Sequence, residues 1–235
     1  MSGEPDIHLY TAATMNGWKP LIFLEEAGVD YTMTAIDLGK KEQKDDAYVA
    51  LNPNGRIPTI VDRGNDNFVV FESGAILWYL ADKYGRFLPE DPKDRSRALQ
   101  WLMFQVAGVG PMMGQAMFFQ RIAAPNGHRD EYAIERYVAE SRRLLEVVDQ
   151  RLAGRPYLLG DDYTIVDIAM YPYARAHPWA KVSVDGLRHL QAWFARLDAR
   201  PAIQRALSKP RPFPEAFGQG GDIEAAEAEN AARFR

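Results

Sequence analysis

Apolar positions change their period about a third of the way along the chain. Residues 7–10 and 31–36 follow the short alternating or β-branched pattern of strands. Between them Leu21 and Leu24 fall on one face of a helix that Asn16 can cap, Pro20 can enter in its first turn and Gly28 can stop. The pattern predicts a strand–helix–strand unit, ordinarily parallel and right-handed. A charged stretch at 40–51, anchored by Tyr48, Val49 and Leu51, reads as a loosely packed helix that ends in the turn signal Asn52-Pro53-Asn54-Gly55. Apolar runs at 59–61 and 68–71, separated by Gly64, Asn65, Asp66 and Asn67, predict an antiparallel hairpin. Ser73 then stands as cap to a helix striped by Ile76, Leu77 and Leu80 and closed at Tyr84-Gly85.

Beyond Phe87 the strand patterns cease. Pro89 and Pro92, set among charges, mark a linker. Leu99, Leu102, Met103 and Val106 then keep helical spacing, and Gly108, Gly110 and Pro111 predict a kink or break before Met112. Residues 132–152 form the longest helical pattern. Thr164-Ile165-Val166-Asp167 has the form of a capping box opening an apolar helix, and Leu187, Leu190, Phe194 and Leu197 stripe another, with a brief restart after Pro201. The expected organisation is an α/β domain over 1–88, a linker over 89–95, an all-helical domain over 96–209 and a tail over 210–235, mobile or laid across the surface.

Composition narrows the chemistry. The 235 residues, 47% hydrophobic and 26% charged, are those of an ordinary folded protein. No apolar run approaches the ~18–20 residues that cross a bilayer, and the polar start MSGEPDIHLY lacks the form of a secretory signal. A cytoplasmic location without membrane association is therefore expected. A net charge of −4 argues against nucleic acid as a partner. Cysteine is absent, which removes disulfides, thiolate metal sites and cysteine nucleophiles together, so any thiol chemistry must use a sulfur that arrives with a ligand. His8, His128, His177 and His189 lack metal-binding spacing, and no metal is expected.

Three motifs carry a resemblance: Asn52-Pro53-Asn54-Gly55-Arg56-Ile57-Pro58, Phe71-Glu72-Ser73-Gly74-Ala75-Ile76-Leu77, and the Thr164–Asp167 cap. In this order and spacing the chain resembles the glutathione transferases from about residue 6 to 207, with a thioredoxin-like α/β domain and an all-α C-terminal domain. Thr14-Met15-Asn16-Gly17-Trp18-Lys19, Asp37-Leu38-Gly39-Lys40 and Leu99-Gln100-Trp101-Leu102 with Gly110-Pro111-Met112 are similar to the bacterial Nu-class enzymes, which are noted for disulfide-bond reductase activity. The resemblance implies glutathione as cosubstrate, a homodimer, and a small disulfide or electrophile as second substrate.

On the residues alone, Ile57-Pro58 is a turn whose bond is ordinarily trans; the resemblance implies a cis bond, with the Ile57 N–H and C=O facing the cysteinyl residue of glutathione. Ser73 and the helix start behind it suit the γ-glutamyl carboxylate, and Glu72 suits the ligand's ammonium. The plainer reading of Ser73 is an N-cap without a ligand. Arg56 and Gln43 are implied at the glycine carboxylate, and Arg136 as an anion contact, although lone basic residues are commonly just solvated. Where many relatives place a catalytic Tyr, Ser or Cys, this chain offers Thr11, Thr14 and Asn16, of which Thr14 and Asn16 are expected to donate to the glutathione thiolate. Tyr10 reads as core. Trp18, Met112, Met113, Met117 and Phe118 suit an adaptable apolar wall for the second substrate but read more simply as core. Disulfide reduction is the leading activity, with transferase or peroxidase activity second. A glutathione-binding regulatory module without turnover is the alternative, and a translation-factor appendage lacks its basic or second-domain partner.

Overall fold

Strand β1 (Ile7–Thr11) alternates buried Ile7, Leu9 and Thr11 with half-buried His8 and Tyr10, as the period of a strand with one face in the core requires. In the computed structural model, which describes residues 3–232, it is an inner strand of a four-stranded sheet, between β2 (Tyr31–Ala35) and β3 (Thr59–Asp62), with β4 (Phe68–Phe71) at the far edge. Helix α1 (Met15–Ala27) leads to β2 (Tyr31–Ala35), which pairs parallel to β1 with Ile7 opposite Tyr31. The stretch expected as one loose helix at 40–51 is instead a 3₁₀ turn at Glu42–Lys44 followed by the single turn α2 (Asp46–Val49). With Tyr48 its one buried side chain, the segment has too little apolar surface to hold a longer helix. Strands β3 (Thr59–Asp62) and β4 (Phe68–Phe71) form the predicted hairpin, and α3 (Ser73–Tyr84) closes on Gly85 in the left-handed conformation.

Two starts differ from expectation. Thr14, not Asn16, caps α1, its side chain accepting from Gly17 N, so Pro20 lies in the second turn and removes the N–H that would meet the Asn16 carbonyl. Glu72, not Ser73, is the N-cap residue of α3, and the Ser73 hydroxyl is engaged elsewhere. The core of this unit is α1 itself: Trp18, Leu21, Ile22, Phe23 and Leu24 are fully buried, and the helix packs against α3 and α9 (Pro201–Leu207).

The chain divides into two compact units. One comprises the residues up to Leu88 together with Arg200–Pro212, and the other comprises Pro89–Ala199 with the residues from Phe213 on. The return of 200–212 to the first unit was not foreseen; it follows from α9 packing on α1, reinforced by Arg200 pairing with Glu26 and by Trp18 Nε1 donating to the Lys209 carbonyl.

In the second unit the expected linker is shorter, because Asp91 caps α4 (Pro92–Phe104) by accepting from Lys93 N and Asp94 N. Of the kink or break expected near Gly108, the chain shows an irregular turn and no break. A wide helical turn at Gln105–Val109, in which Gly110 N donates to the Gln105 carbonyl, carries the helix on into α5 (Gly110–Phe118). The continuous helical run Pro92–Asn126 has 35 residues and is, by length and composition alone, apolar enough to cross a membrane, a property it shares with core helices. Its Leu102, Val109, Met113 and Ala116 are buried in the protein. Leu99 and Met103, expected on the apolar stripe, are exposed at 44% and 46%.

Helix α6 (Glu131–Leu152) is followed by α7 (Ile165–Arg175), where both halves of the capping box form. Buried Asp167 accepts from Leu158 N, Thr164 N, Thr164 Oγ1 and Trp193 Nε1. Burial pushes its carboxyl up to about 6 against these donors. Helix α8 (Arg188–Asp198) supplies Trp193. The tail is anchored rather than loose. Phe213, Ala216 and Phe217 are buried, and Glu227 of α10 (Ile223–Ala232) pairs with Arg121. Residues 233–235 of the expected tail lie outside the described residues.

Candidate active site

Loop 12–14 and the start of α1 are shaped by close contact. A Cβ on Gly17 would sit 2.1 Å from the Ala12 carbonyl oxygen, so only glycine lets the helix start fold back beneath β1. Thr11 Oγ1 donates to the Gly17 carbonyl at 2.9 Å and fixes the same approach. Thr14 Oγ1 accepts from Gly17 N at 3.1 Å, which sets its rotamer and leaves its own O–H to donate. Asn16 is half-buried in the first turn of α1, and its Oδ1 accepts from Ser73 Oγ at 3.4 Å.

Across from this loop, α3 opens at Glu72 with φ +70°, a conformation side-chain-bearing residues adopt at a cost and that commonly marks a functional constraint. Ile76 N is the first α3 amide to bond back, to the Glu72 carbonyl, so the Ser73, Gly74 and Ala75 N–H groups stand at the helix N-terminus as donors for an anion. Glu72 is exposed, with Asn54 Nδ2 at 3.5 Å from its Oε1.

The turn before β3 is built from its own polar residues. Asn52 Nδ2 and Tyr48 Oη both donate to the Arg56 carbonyl, at 2.7 and 2.8 Å, and Tyr48 Oη also meets Thr59 Oγ1 at 3.0 Å. The Ile57-Pro58 bond that follows is cis. Among the described residues neither the N–H nor the C=O of Ile57 pairs with another backbone group. Gln43 borders this turn, since a Cβ on Gly55 would lie 2.9 Å from the Gln43 carbonyl oxygen. Its Oε1 is buried without a hydrogen-bond partner among the described residues, a cost that a ligand donor would relieve. Arg56 is exposed and directed to solvent.

The first unit therefore joins Asn16 to Ser73 directly, seats Thr14 two residues before Asn16, and places Glu72 beside Ser73 and within reach of Asn54. Gln43 and Ile57 flank the adjoining turn. Arg136 belongs to the second unit, on an exposed position of α6 where its charge acts on Glu140. Of the apolar residues considered for a second substrate, Trp18 and Met113 are fully buried and serve the cores of their units. Met117 is buried, and Met112 and Phe118 are half-buried. No group of His, Asp and Glu among the described residues is placed to hold a metal ion.

Sequence reasoning missed Lys19. It is 1% exposed, and its Nζ donates to Ser73 Oγ at 3.2 Å. Burial lowers its pKa from 10.5 to about 7, with the Glu72 carboxylate pulling the other way. The signal lay in its neighbours: residues 17–24 of α1 are buried all round, so a lysine there has no solvated face to reach.

Residues 5–82 match the pattern of the glutathione S-transferase N-terminal domain, and residues 102–201 match that of the C-terminal domain. The chain belongs to the glutathione transferase family. It is 44% identical over 209 residues to the disulfide-bond oxidoreductase YfcG of Escherichia coli strain K12, covering 86% of this chain and 95% of that protein, in keeping with the Nu-class resemblance of its motifs. A glutathione transferase from Burkholderia graminis, solved with two glutathione molecules bound per subunit, superposes with a TM-score of 0.82 at 42% identity, over 88% of this chain and 89% of that one. One from Pseudomonas putida, solved with one glutathione disulfide per subunit, gives 0.83 at 38% identity, over 89% and 94%.

Proposed function

We propose that the protein is a glutathione-dependent disulfide-bond reductase that uses the thiolate of bound glutathione in place of a protein cysteine. The observation that carries this is a built donor site, Thr14 and Asn16 at the start of α1, in a chain without a single cysteine. A thiol with pKa near ~8.5 is only a few per cent ionised at neutral pH. Lowering it by ~2 units takes ~2.7 kcal/mol, which one or two hydrogen bonds to the charged sulfur supply. The Thr14 O–H and the Asn16 amide are those donors, aided by the positive end of α1. Because they also stabilise a departing thiolate, they favour thiol–disulfide exchange.

Recognition falls to the rest of the site. Ile57 pairs through its backbone with the cysteinyl residue, as in addition of a single strand residue. The Ser73 N–H and the amides behind it hold the γ-glutamyl carboxylate, and Glu72 accepts from the ammonium. Gln43 and Arg56 take the glycine end, and Arg136 is an anion contact. The net reaction converts one disulfide and two glutathiones to glutathione disulfide and two thiols. The first thiolate displaces half of the substrate disulfide, and a second glutathione resolves the mixed disulfide. The relatives holding two glutathiones or one glutathione disulfide per subunit support this stoichiometry. The protein acts as a homodimer in the cytoplasm, with conjugation of small electrophiles as a secondary activity. Replacing both donors, Thr14→Ala with Asn16→Ala, tests the assignment: glutathione is still bound but disulfide turnover falls by two orders of magnitude or more, and retained turnover refutes it.

A further inference from the structure

Lys19 is a charged residue in the dry centre of the first unit, yet no step of the proposed chemistry uses it. Its ammonium can only donate hydrogen bonds. Ser73 Oγ, 3.2 Å away, must therefore accept from it, and the Ser73 proton is then free to point at Asn16 Oδ1, 3.4 Å further on. Once Oδ1 is the acceptor, the Asn16 amide presents Nδ2 on its other side, where among the described residues no acceptor meets it. A carboxamide that accepts inward donates outward.

We infer that Lys19 is a positioning residue for the thiolate: through Ser73 it fixes the orientation of the Asn16 amide, so that Nδ2 rather than Oδ1 faces the glutathione sulfur. With Oδ1 outward the same side chain would repel a thiolate, so the direction of this chain of bonds decides whether Asn16 helps or hinders. The chain also ties the residue that holds the γ-glutamyl carboxylate to the residue that holds the sulfur. An anionic ligand at the α3 N-terminus raises the proton affinity of a nearby amine, so the loaded site favours the ammonium form that sets this direction. Glu72, the carboxylate acting on Lys19, works in the same sense.

The inference rests on the placement of the sulfur at Asn16 proposed above, and the test separates the two. The thiol of glutathione bound to the purified protein is titrated by the near-ultraviolet absorbance of its thiolate, in wild type, Lys19→Met, Ser73→Ala, Asn16→Ala and the Lys19→Met/Asn16→Ala double variant. Lys19→Met and Ser73→Ala are each expected to raise the bound thiol pKa by ~1 unit, a tenfold loss of thiolate fraction equivalent to ~1.4 kcal/mol. Lys19→Met is expected to add nothing further once Asn16 is alanine. A shift in the double variant equal to the sum of the single shifts overturns the relay in favour of a direct charge effect, as does an unchanged thiol in Lys19→Met. Ser73→Ala keeps the lysine and covers the case in which Lys19→Met does not fold. A wild-type protein that binds glutathione without lowering its thiol pKa refutes the sulfur placement instead.

Discussion

Replacing Lys19 by methionine, a side chain of similar length without charge, should stabilise the protein at neutral and mildly acidic pH. The lysine pKa is about 7 in the folded chain against 10.5 when unperturbed. Between those values the unfolded chain holds a proton that the folded chain lacks, so wild-type stability rises as pH rises through this window. At ~1.4 kcal/mol per pH unit, burying the charge costs ~5 kcal/mol below pH 7, where both states are protonated, and less than ~1 kcal/mol at pH 10. Methionine removes that cost but also removes the hydrogen bond to Ser73, worth ~1.5–3 kcal/mol. The variant is then expected to be ~2–3 kcal/mol more stable than wild type at pH 6, with an advantage that shrinks by ~4 kcal/mol on going to pH 10. Urea unfolding at fixed protein concentration and ionic strength, repeated from pH 6 to 10, measures the difference. A stability difference independent of pH, or one that grows toward pH 10, would refute the reading of Lys19 as a buried cation.

Other consequences concern separate parts of the molecule. Glu72→Gln should weaken glutathione binding by ~10–100-fold, the loss of one hydrogen bond to a charged group, in isothermal titration calorimetry. Gly17→Ala places a methyl group against the Ala12 carbonyl, so it should cost ~2–4 kcal/mol of stability and raise the KM for glutathione, read by thermal melts and steady-state rates. Asp167→Ala leaves Leu158 N, Thr164 N and Trp193 Nε1 without their acceptor and should cost ~3–5 kcal/mol, while Asp167→Asn, which keeps one acceptor oxygen, should cost less in the same unfolding assay.

Much of the fold was legible because its signals are local. Alternation at residues 7–10, the polar turn of the hairpin and the Thr164–Asp167 spacing each act within a few residues, and each element formed where expected. The two misplaced helix caps show what local signals leave open. Asn16 and Ser73 are both sound cap residues, but their side chains are spent on each other across 57 positions of sequence. The wide turn at Gln105–Val109 kept a helix running through glycines that ordinarily break one, because the Gly110 amide found an acceptor five residues back. Packing of α9 on α1 depends on a contact between distant segments and left no trace in the hydrophobic pattern near either.

For the site, the recognition motifs were readable as motifs, while Lys19 was not, since a lysine in a helix is ordinarily solvated. Only the buried character of every neighbour from Gly17 to Leu24 would have revealed it. A buried cation at Lys19 and a positive φ at Glu72 both break local rules, and the Glu72 carboxylate acts on that cation.

The central claim, that a glutathione thiolate replaces the missing protein cysteine, is tested most directly by mixing the protein with glutathione and a small dialkyl disulfide and following glutathione disulfide. The account predicts saturable turnover well above the uncatalysed exchange, with one glutathione disulfide formed for each disulfide consumed and undiminished activity after treatment of the protein with a thiol-alkylating reagent. A rate no greater than the uncatalysed one, in a protein shown to bind glutathione, would contradict it.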